Sequence, residues 1–290
     1  MELPLVVGVD GSETSLRAVD WAVGEAAMRG VPLRLVYASL WHRYEGPAFA
    51  GEVRVPQEAP QADAVVDAAA ARAHRRDADV KVSTEVLHDE PVPALLVEGR
   101  NACALVLGSR GRGGIAELLL GSVCLAVAAR ADCPVIVLRG SHDNRAKPAS
   151  RGRLVVGVGD PLESAAAVRF AFQEARYREA PLTAIRAWRC PAHETTDHPL
   201  LVGEPARLHE EQAAMALEAA LRDVLEEVEL HRRTAEGPAH KVLLAASADA
   251  DLLVVGARRR HGRFGLQLGR VAHAVLHHSA CPVAVVPQRV

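Results

Sequence analysis

The chain has 290 residues and a formal net charge of −2, and 49% of its residues are apolar although only 3% are aromatic. A nearly neutral chain has no global attraction to nucleic acid or to an anionic membrane surface. No apolar run reaches the roughly 20 residues of a membrane-spanning helix. At about 150 residues per domain the length predicts two domains, with cores built from Val, Leu, Ile and Ala.

The cysteines and the first residues indicate a cellular compartment. The five cysteines are an odd number without close CxxC spacing, which favours a reducing environment over a disulfide framework or a zinc ribbon. Met1–Pro4 lacks the basic and apolar stretches of a signal peptide. We therefore expect a cytoplasmic protein.

The chain repeats itself at a nearly constant offset. Leu5–Val9 (LVVGV) recurs as Leu154–Val158, and Cys133–Val137 (CPVIV) recurs as Cys281–Val285 (CPVAV). A repeat of this length indicates a duplicated domain rather than a short motif. The predicted domains are residues 1–140 and 152–290, joined by a segment that contains Ser, Asn, Lys and Pro.

Within the first copy, short runs of Val and Leu alternate with segments of helical periodicity. Continuous apolar strands joined by helices predict a parallel sheet that is covered on both faces. Right-handed connections then leave a doubly wound arrangement. The expected fold is α/β, with two tandem doubly wound five-stranded parallel-sheet sandwiches. The predicted strands of the first copy are Leu5–Val9, Leu33–Ala38, Val80–Val86, Ala104–Gly108 and Val135–Leu138.

A glycine-rich loop follows the fourth predicted strand. Two residues separate Gly108 from Gly111, and Gly121-Ser122 follows after nine more. Glycines let backbone N–H groups approach phosphate oxygens closely. Gly121-Ser122 opens a helix whose N-terminus favours anions. Ser122 could add a hydroxyl donor, and Arg110 or Arg112 could add a positive charge. Because ligands of parallel sheets bind beyond the carboxyl ends of the strands, the loop predicts phosphate binding.

Asp10, directly after the first strand, has two interpretations. A carboxylate at the carboxyl end of a strand can accept hydrogen bonds from ribose hydroxyls. Asp-Gly-Ser before a helix is also a common turn and N-cap. The glycine-rich loop after the fourth strand favours the ligand role.

The spacing G-x2-G-x9-G-[S/T] after the fourth strand resembles the ATP-binding signature of universal stress proteins. Val6–Ser12 with Ala18 and Trp21 resembles the opening strand and first helix of that family, and Cys133–Val135 resembles its last strand. The resemblance covers nearly the whole chain, in a tandem arrangement. It implies a Rossmann-like fold of the adenine-nucleotide alpha hydrolase type that binds ATP, with or without Mg²⁺.

Carried over residue by residue, the resemblance implies the ligand contacts of the first copy. Gly8, Val9 and Asp10 would line the base and ribose, and Ala38 would contact the adenine. Cys124 stands where many members carry a small hydroxyl residue. The residues that would wrap the phosphates are Leu107, Gly108, Gly111, Gly121, Ser122 and Val123.

The second copy departs from this pattern. An arginine in a left-handed glycine conformation would cost about 1–2 kcal/mol, so we expect its loop to have a different shape. One interpretation is a pseudo-domain kept for packing. The aligned differences are Asp10 with Gly159, Gly111 with Arg259 and Ser122 with Arg270. The other interpretation is a different anionic ligand held by Arg258, Arg259, Arg260 and Arg263.

Histidines offer weak candidates for a metal site or a catalytic base. His273 and His277 lie four residues apart on the last predicted helix, a spacing that could place both rings on one metal ion. No third ligand is evident nearby, and histidines at a helix C-terminus also suit its dipole. Nothing in the spacing recommends His42 or His88 as a base. We expect no metal site and no catalytic residue.

Three classes of function remain open at this point. The leading one is a nucleotide-dependent stress-response or regulatory protein without dedicated catalysis, which binds an adenine nucleotide and an unidentified protein partner but no nucleic acid or membrane. The second is a slow ATPase or adenylating enzyme on the same scaffold, although neither a pyrophosphatase loop nor a Walker motif is present. The third is a structural dimerisation module, which would leave the loop unexplained. A homodimer is compatible with each of them.

Overall fold

A computed structural model describes the chain as two compact units, Met1–Leu138 and Arg139–Val290. The described residues are 2–38, 59–110, 120–139, 152–190, 204–222, 224, 228–258 and 268–288. Five residues that the sequence raised as possible ligand contacts lie outside these ranges: Gly111, Arg112, Arg259, Arg260 and Arg263. No helix within the described ranges is both long and apolar enough to cross a membrane.

The first unit is a five-stranded parallel sheet in the order β3-β2-β1-β4-β5. Strands β2 and β3 are added on one side of β1, whereas β4 and β5 lie on its other side. The strand order therefore reverses between β1 and β4. Helix α1 packs against α2, and α3 packs against α4. The elements are β1 (Leu5–Gly8), α1 (Glu13–Arg29), β2 (Leu33–Ala38), α2 (Ala59–Arg76), β3 (Val82–Leu87), α3 (Pro91–Gly99), β4 (Ala104–Gly108), α4 (Ser122–Arg130) and β5 (Val135–Leu138).

The second unit repeats this topology, with a parallel sheet in the order β10-β9-β6-β7-β8. Its strand order reverses between β6 and β9, the counterparts of β1 and β4. The elements are β6 (Leu154–Gly157), α5 (Pro161–Arg178), β7 (Leu182–Trp188), α6 (Glu204–Leu221), β8 (Leu230–Glu236), α7 (Ala239–Ser247), β9 (Leu252–Arg258), α8 (Arg270–His278) and β10 (Val283–Gln288). The predicted α/β fold with two tandem five-stranded parallel sheets is confirmed.

Aliphatic side chains fill the sheet of the first unit. Leu5, Leu33, Leu105 and Ile136, one from each of four neighbouring strands, are fully buried. Strands covered on both faces read as continuous apolar runs, because neither face meets water. In the two central strands the polar residues come after the strand, as Asp10 does after β1 and Ser109 after β4.

Candidate functional site

A cavity of about 380 Å³ lies at the carboxyl ends of β1, β2 and β4 in the first unit. Gly8 pairs in register with Val36 on one side and with Leu107 on the other, so the three strands end at the same level. This is the point of reversed strand order, where doubly wound sheets bind their ligands. Nine predicted site residues line the cavity: Gly8, Val9, Asp10, Ala38, Leu107, Gly108, Gly121, Ser122 and Val123. The tenth, Gly111, lies outside the described residues.

Other lining residues were not singled out from the sequence as site residues. Pro91 and Leu95 of α3 bring apolar side chains to the cavity, and Val36, Leu120 and Ser15 complete its wall. The periodicity of α3 indicates a helix with a buried face, but only the strand order places that helix over the ends of β1 and β4. No spacing in the sequence could have found these positions.

Asp10 shapes the turn that leads from β1 into α1. Its Oδ1 accepts hydrogen bonds from the Ser12 backbone N–H at 3.0 Å and from the Ser12 hydroxyl at 2.6 Å. Ser12 is the N-cap of α1, and its Oγ accepts from the Ser15 N–H at 3.2 Å. A carboxylate has about four acceptor positions, so the turn contacts are compatible with a ligand contact from the same group. Asp10 thus has the turn role that the sequence offered as an alternative, and it also lines the cavity.

Gly108 allows the end of β4 to touch the start of α1. A Cβ atom at this position would lie 2.6 Å from the backbone C and O of Thr14 and 2.8 Å from the Ser15 N. Such distances are far inside van der Waals contact, and backbone atoms cannot swing away as a flexible side chain can. The close approach therefore requires glycine at this position, which also lines the cavity.

The two described ends of the glycine-rich loop are held together. Gly121 donates its N–H to the Ser109 carbonyl at 2.9 Å. The Arg110 carbonyl accepts from the Thr14 hydroxyl. These contacts hold the N-terminus of α4 beside the end of β4. Gly121 is the N-cap of α4 and makes no side-chain cap, so N–H groups in the first helical turn can serve an anion.

Cys124 places a thiol in the wall of the cavity, in the first turn of α4. Its Sγ donates a hydrogen bond to the Gly108 carbonyl at 2.7 Å. Burial, with a smaller contribution from the negative charge of Asp10, raises the pKa of the Cys124 thiol to about 12. The thiol therefore stays neutral near pH 7 and acts as a hydrogen-bond donor rather than as a nucleophile.

The second unit has a corresponding cavity of about 430 Å³ at the ends of β6, β7 and β9. Gly159 and Arg270, two of the predicted departures from the first copy, both line it. Arg186 lines it as well, and its counterpart in the first unit is Tyr37. Arg186 was not among the residues predicted from the sequence, although the repeat offset aligns it with Tyr37.

The rings of two histidines of α8 lie close together and are tilted relative to each other by 31°. The ring centroids of His273 and His277 lie 4.4 Å apart. Burial, together with the neighbouring His273, lowers the pKa of His277. Within the described parts of the chain, no three His, Cys, Asp or Glu side chains are grouped so that they could hold a metal ion.

Comparison with known proteins gives consistent relatives. The profile of the universal stress protein family matches residues 3–139 and 150–287. Universal stress protein Rv2005c of Mycobacterium tuberculosis is 34% identical over 290 residues, covering 98% of this chain and 97% of the relative. Universal stress protein Rv1996 of the same organism is 33% identical over 309 residues, with 99% and 96% covered.

A solved structure supports the same fold. The crystal structure of a universal stress protein from Archaeoglobus fulgidus matches with a TM-score of 0.68 at 19% identity, covering 99% of this chain and 98% of that one. At this identity the likeness concerns the fold, whereas the family profile and the mycobacterial relatives concern the sequence itself. The chain therefore belongs to the universal stress protein family.

Proposed function

We propose that the first unit binds ATP and that the chain acts as a nucleotide-dependent stress-response or regulatory protein without dedicated catalysis. One observation carries the proposal. Nine residues that the sequence assigned to an ATP site surround a single cavity, and they come from three strand ends and one helix N-terminus. A volume of about 380 Å³ is also within the usual range for small-molecule sites.

The chemistry of the wall suits the three parts of a nucleotide. Val9, Val36 and Leu95 offer apolar surface for a base. Asp10 offers an acceptor for ribose hydroxyls. At the other end of the cavity, the first turn of α4 offers backbone donors and a positive dipole end, and Ser122 adds a hydroxyl.

Mg²⁺ fits this site only as part of the nucleotide. Mg²⁺ prefers oxygen ligands and is commonly held by one or two carboxylates together with substrate phosphates. Asp10 is the only carboxylate in the described lining, and Ser12 already binds one of its oxygens. ATP bound with Mg²⁺ would therefore bring most of the metal ligands with it.

The described lining favours binding over turnover. General-base catalysis of hydrolysis needs a group that can accept a proton from water within hydrogen-bond reach. Among the described lining residues, the Cys124 thiol is held neutral by burial, and the Asp10 carboxylate is the group proposed to bind the ribose. The alternative is a slow ATPase or adenylating enzyme. ATP turnover that copurifies with the protein and disappears in Gly121→Asp would favour the alternative, and a rate above about 1 per second would lie in the typical enzyme range.

We place this role in the cytoplasm because Cys103, Cys124, Cys133 and Cys281 are not disulfide-bonded, as is usual in reducing compartments. A protein partner that reads the nucleotide state would complete the regulatory function. Bound ATP would contact β1, β4 and α4 together. A partner that binds at the edge of the cavity would therefore bind differently to the ATP-bound and the ATP-free protein.

The first test is thermal stabilisation by ATP. At free ATP about 100 times Kd the gain is about 2.7 kcal/mol, which for a domain of this size raises Tm by about 5–10 °C. Gly121→Asp should remove most of the shift, because it adds a negative charge where phosphates would bind. Aspartate is a favourable N-cap residue, so this variant should fold.

Gly269→Asp is the matched control. Gly269 is the N-cap of α8 in the second unit, and a Cβ atom there would meet nothing within 4 Å. We expect it to leave the ATP-induced shift unchanged. An undiminished shift in Gly121→Asp would show that ATP does not bind at the first-unit loop.

Asp10 needs two substitutions, because it serves both the turn and the proposed ligand. Asp10→Asn keeps an oxygen that can accept from Ser12, whereas Asp10→Ala removes it. We expect both to lower ATP affinity, and only Asp10→Ala to lower the free energy of unfolding, by about 0.5–1.5 kcal/mol. Calorimetric titration and urea unfolding separate the two effects. Normal ATP affinity in both variants would exclude Asp10 from the site.

A further inference from the structure

The second-unit cavity keeps the apolar part of the first. Val158, Ala187 and Leu243 line it at the positions where Val9, Ala38 and Leu95 line the first cavity. Gly157 pairs with Ile185 and Val255 just as Gly8 pairs with Val36 and Leu107. The surface proposed to hold a base is therefore present in both units, and the cavity is of similar size.

Next to that apolar surface, the first unit carries the negatively charged Asp10, whereas the second unit carries the positively charged Arg186. Gly159 replaces Asp10, so the carboxylate at that position is gone, although the carboxylates of Asp160 and Glu163 line the same cavity. Arg186, from the end of β7, donates a hydrogen bond from Nη1 to the Gly159 carbonyl. A guanidinium therefore adjoins the backbone site that carries a carboxylate in the first unit, and its side chain is only 20% exposed.

Arg186 keeps hydrogen-bonding capacity beyond this contact. Its Nη2 lies 3.8 Å from Asp160 Oδ1, which is an ion pair rather than a hydrogen bond. A guanidinium carries five N–H donors in a planar fork that matches two phosphate oxygens. Dinucleotide-binding folds use the same exchange: a carboxylate binds the free ribose hydroxyl, and an arginine accommodates a phosphate on it.

A second arginine stands at the other end of the cavity. Arg270 replaces Ser122 as the first residue of its helix, and Gly269 makes no side-chain cap. Its charge adds to the positive end of the helix dipole. Arg270 is exposed and lines the cavity, and because its side chain is longer than that of Ser122, we expect this end to suit a single 5′-phosphate better than a triphosphate.

We propose that the second unit binds an adenine nucleotide with one phosphate on the ribose and one on the 5′ carbon, such as adenosine 3′,5′-bisphosphate. Arg186 binds the ribose phosphate, and Arg270 with the N-terminus of α8 binds the 5′-phosphate. Locating the ribose beside Gly159 rests on the proposed role of Asp10 in the first unit. The competing outcome is that Arg186 fills the ribose position itself and excludes every nucleotide.

The test is calorimetric titration of the full chain carrying Gly121→Asp, with adenosine 3′,5′-bisphosphate, adenosine 2′,5′-bisphosphate and AMP. We expect one bisphosphate per chain, bound about 10- to 100-fold more tightly than AMP, the factor expected of a charged hydrogen-bonded contact. The 2′ and 3′ isomers report which ribose hydroxyl carries the phosphate.

Substitution of Arg186 assigns the effect. Arg186→Tyr installs the residue of the first unit and should lower bisphosphate affinity at least about 10-fold while leaving AMP nearly unchanged. Arg186→Lys keeps the positive charge without the planar fork of donors, so its bisphosphate affinity should lie between those of the parent chain and Arg186→Tyr. Tyr37→Ala, at the same strand position in the first unit, is the control and should have no effect.

Three results would overturn the proposal. One is equal affinity for AMP and both bisphosphates, and another is bisphosphate binding that does not respond to Arg186→Tyr. The third is nucleotide binding that appears only in Arg186→Tyr, which would show that the Arg186 side chain fills the ribose position in the parent chain. Failure of the first-unit proposal is read separately, from an ATP shift that survives Gly121→Asp, and the Arg186 comparison remains decisive in that case.

Discussion

At the scale of single residues, buried thiols give the folded chain a distinctive response to alkaline pH. Burial raises the pKa of Cys124 and of Cys133 from 9.0 to about 12, and that of Cys281 to about 11. Each thiol keeps its proton in the folded state at a pH where the unfolded chain has lost it. The unfolded state then binds fewer protons, so stability must fall as pH rises through this window.

We predict that the free energy of unfolding declines between pH 9 and pH 11 by about 1.4 kcal/mol per pH unit for each such thiol. Other groups titrate in the same range, so the informative quantity is the difference between variants. Cys124→Ser keeps a donor for the Gly108 carbonyl but does not ionise, and its stability should fall less steeply by one thiol's contribution. Urea unfolding at several pH values measures both slopes, and identical slopes would contradict the assignment.

At the scale of elements, the junction between a central strand and the first helix distinguishes the two units. A Cβ atom at Gly108 would lie 2.6 Å from the Thr14 backbone, whereas one at Gly256 would lie 3.1 Å from the Glu163 carbonyl. We predict that Gly108→Ala destabilises the chain by about 1–3 kcal/mol, as overpacking does, and that Gly256→Ala costs clearly less. Urea unfolding of both variants checks the order. Equal costs would mean that β4 and α1 can separate freely.

Elements buried on both faces could be predicted closely from the sequence. The predicted strands Leu33–Ala38 and Ala104–Gly108 match β2 and β4, because β4 is a continuous apolar run and β2 is apolar except for Arg34. The third strand was predicted at Val80–Val86 and is found at Val82–Leu87. Val80 is buried but precedes the pairing of β3 with β2, which starts at Val82. Apolar character reports burial, whereas strand limits depend on partners that the local sequence does not show.

The candidate site was predictable to the extent that it follows strand ends. Gly8, Asp10 and Gly108 stand directly at or after apolar runs, and the topology brings all three to one cavity. Arg186 escaped notice because nothing local distinguishes an arginine at a strand end from a solvated one. Its hydrogen bond to the Gly159 carbonyl, which follows the neighbouring strand β6, is what indicates a role for Arg186 in the cavity. Contacts between separate segments are the part that a local pattern cannot supply.

At the scale of the whole molecule, duplication would by default give two equal nucleotide sites, and the two cavities are of similar size. The charged residues break this equivalence. The second unit lacks the Asp10 carboxylate, and Arg270 takes the place of the small Ser122. Asp160, one residue from the lost carboxylate, does not restore it. Its side chain is 66% exposed and lies 3.8 Å from Arg186, whereas the Asp10 side chain is held in the turn by Ser12.

We therefore predict that one chain binds one ATP. A neutral hydrogen bond contributes about 0.5–1.5 kcal/mol and a charged one about 1.5–3, so loss of the ribose acceptor and the hydroxyl together weakens ATP in the second unit by at least about tenfold. Calorimetric titration should give a stoichiometry near one for the parent chain, near one for Gly269→Asp and near zero for Gly121→Asp. A parent value near two, falling to one in either variant, would mean that both copies bind ATP. In that case Arg270 would have to contribute to ATP affinity as much as Ser122 does, because a cation can replace a hydroxyl at a phosphate only if its longer side chain leaves room for the ligand.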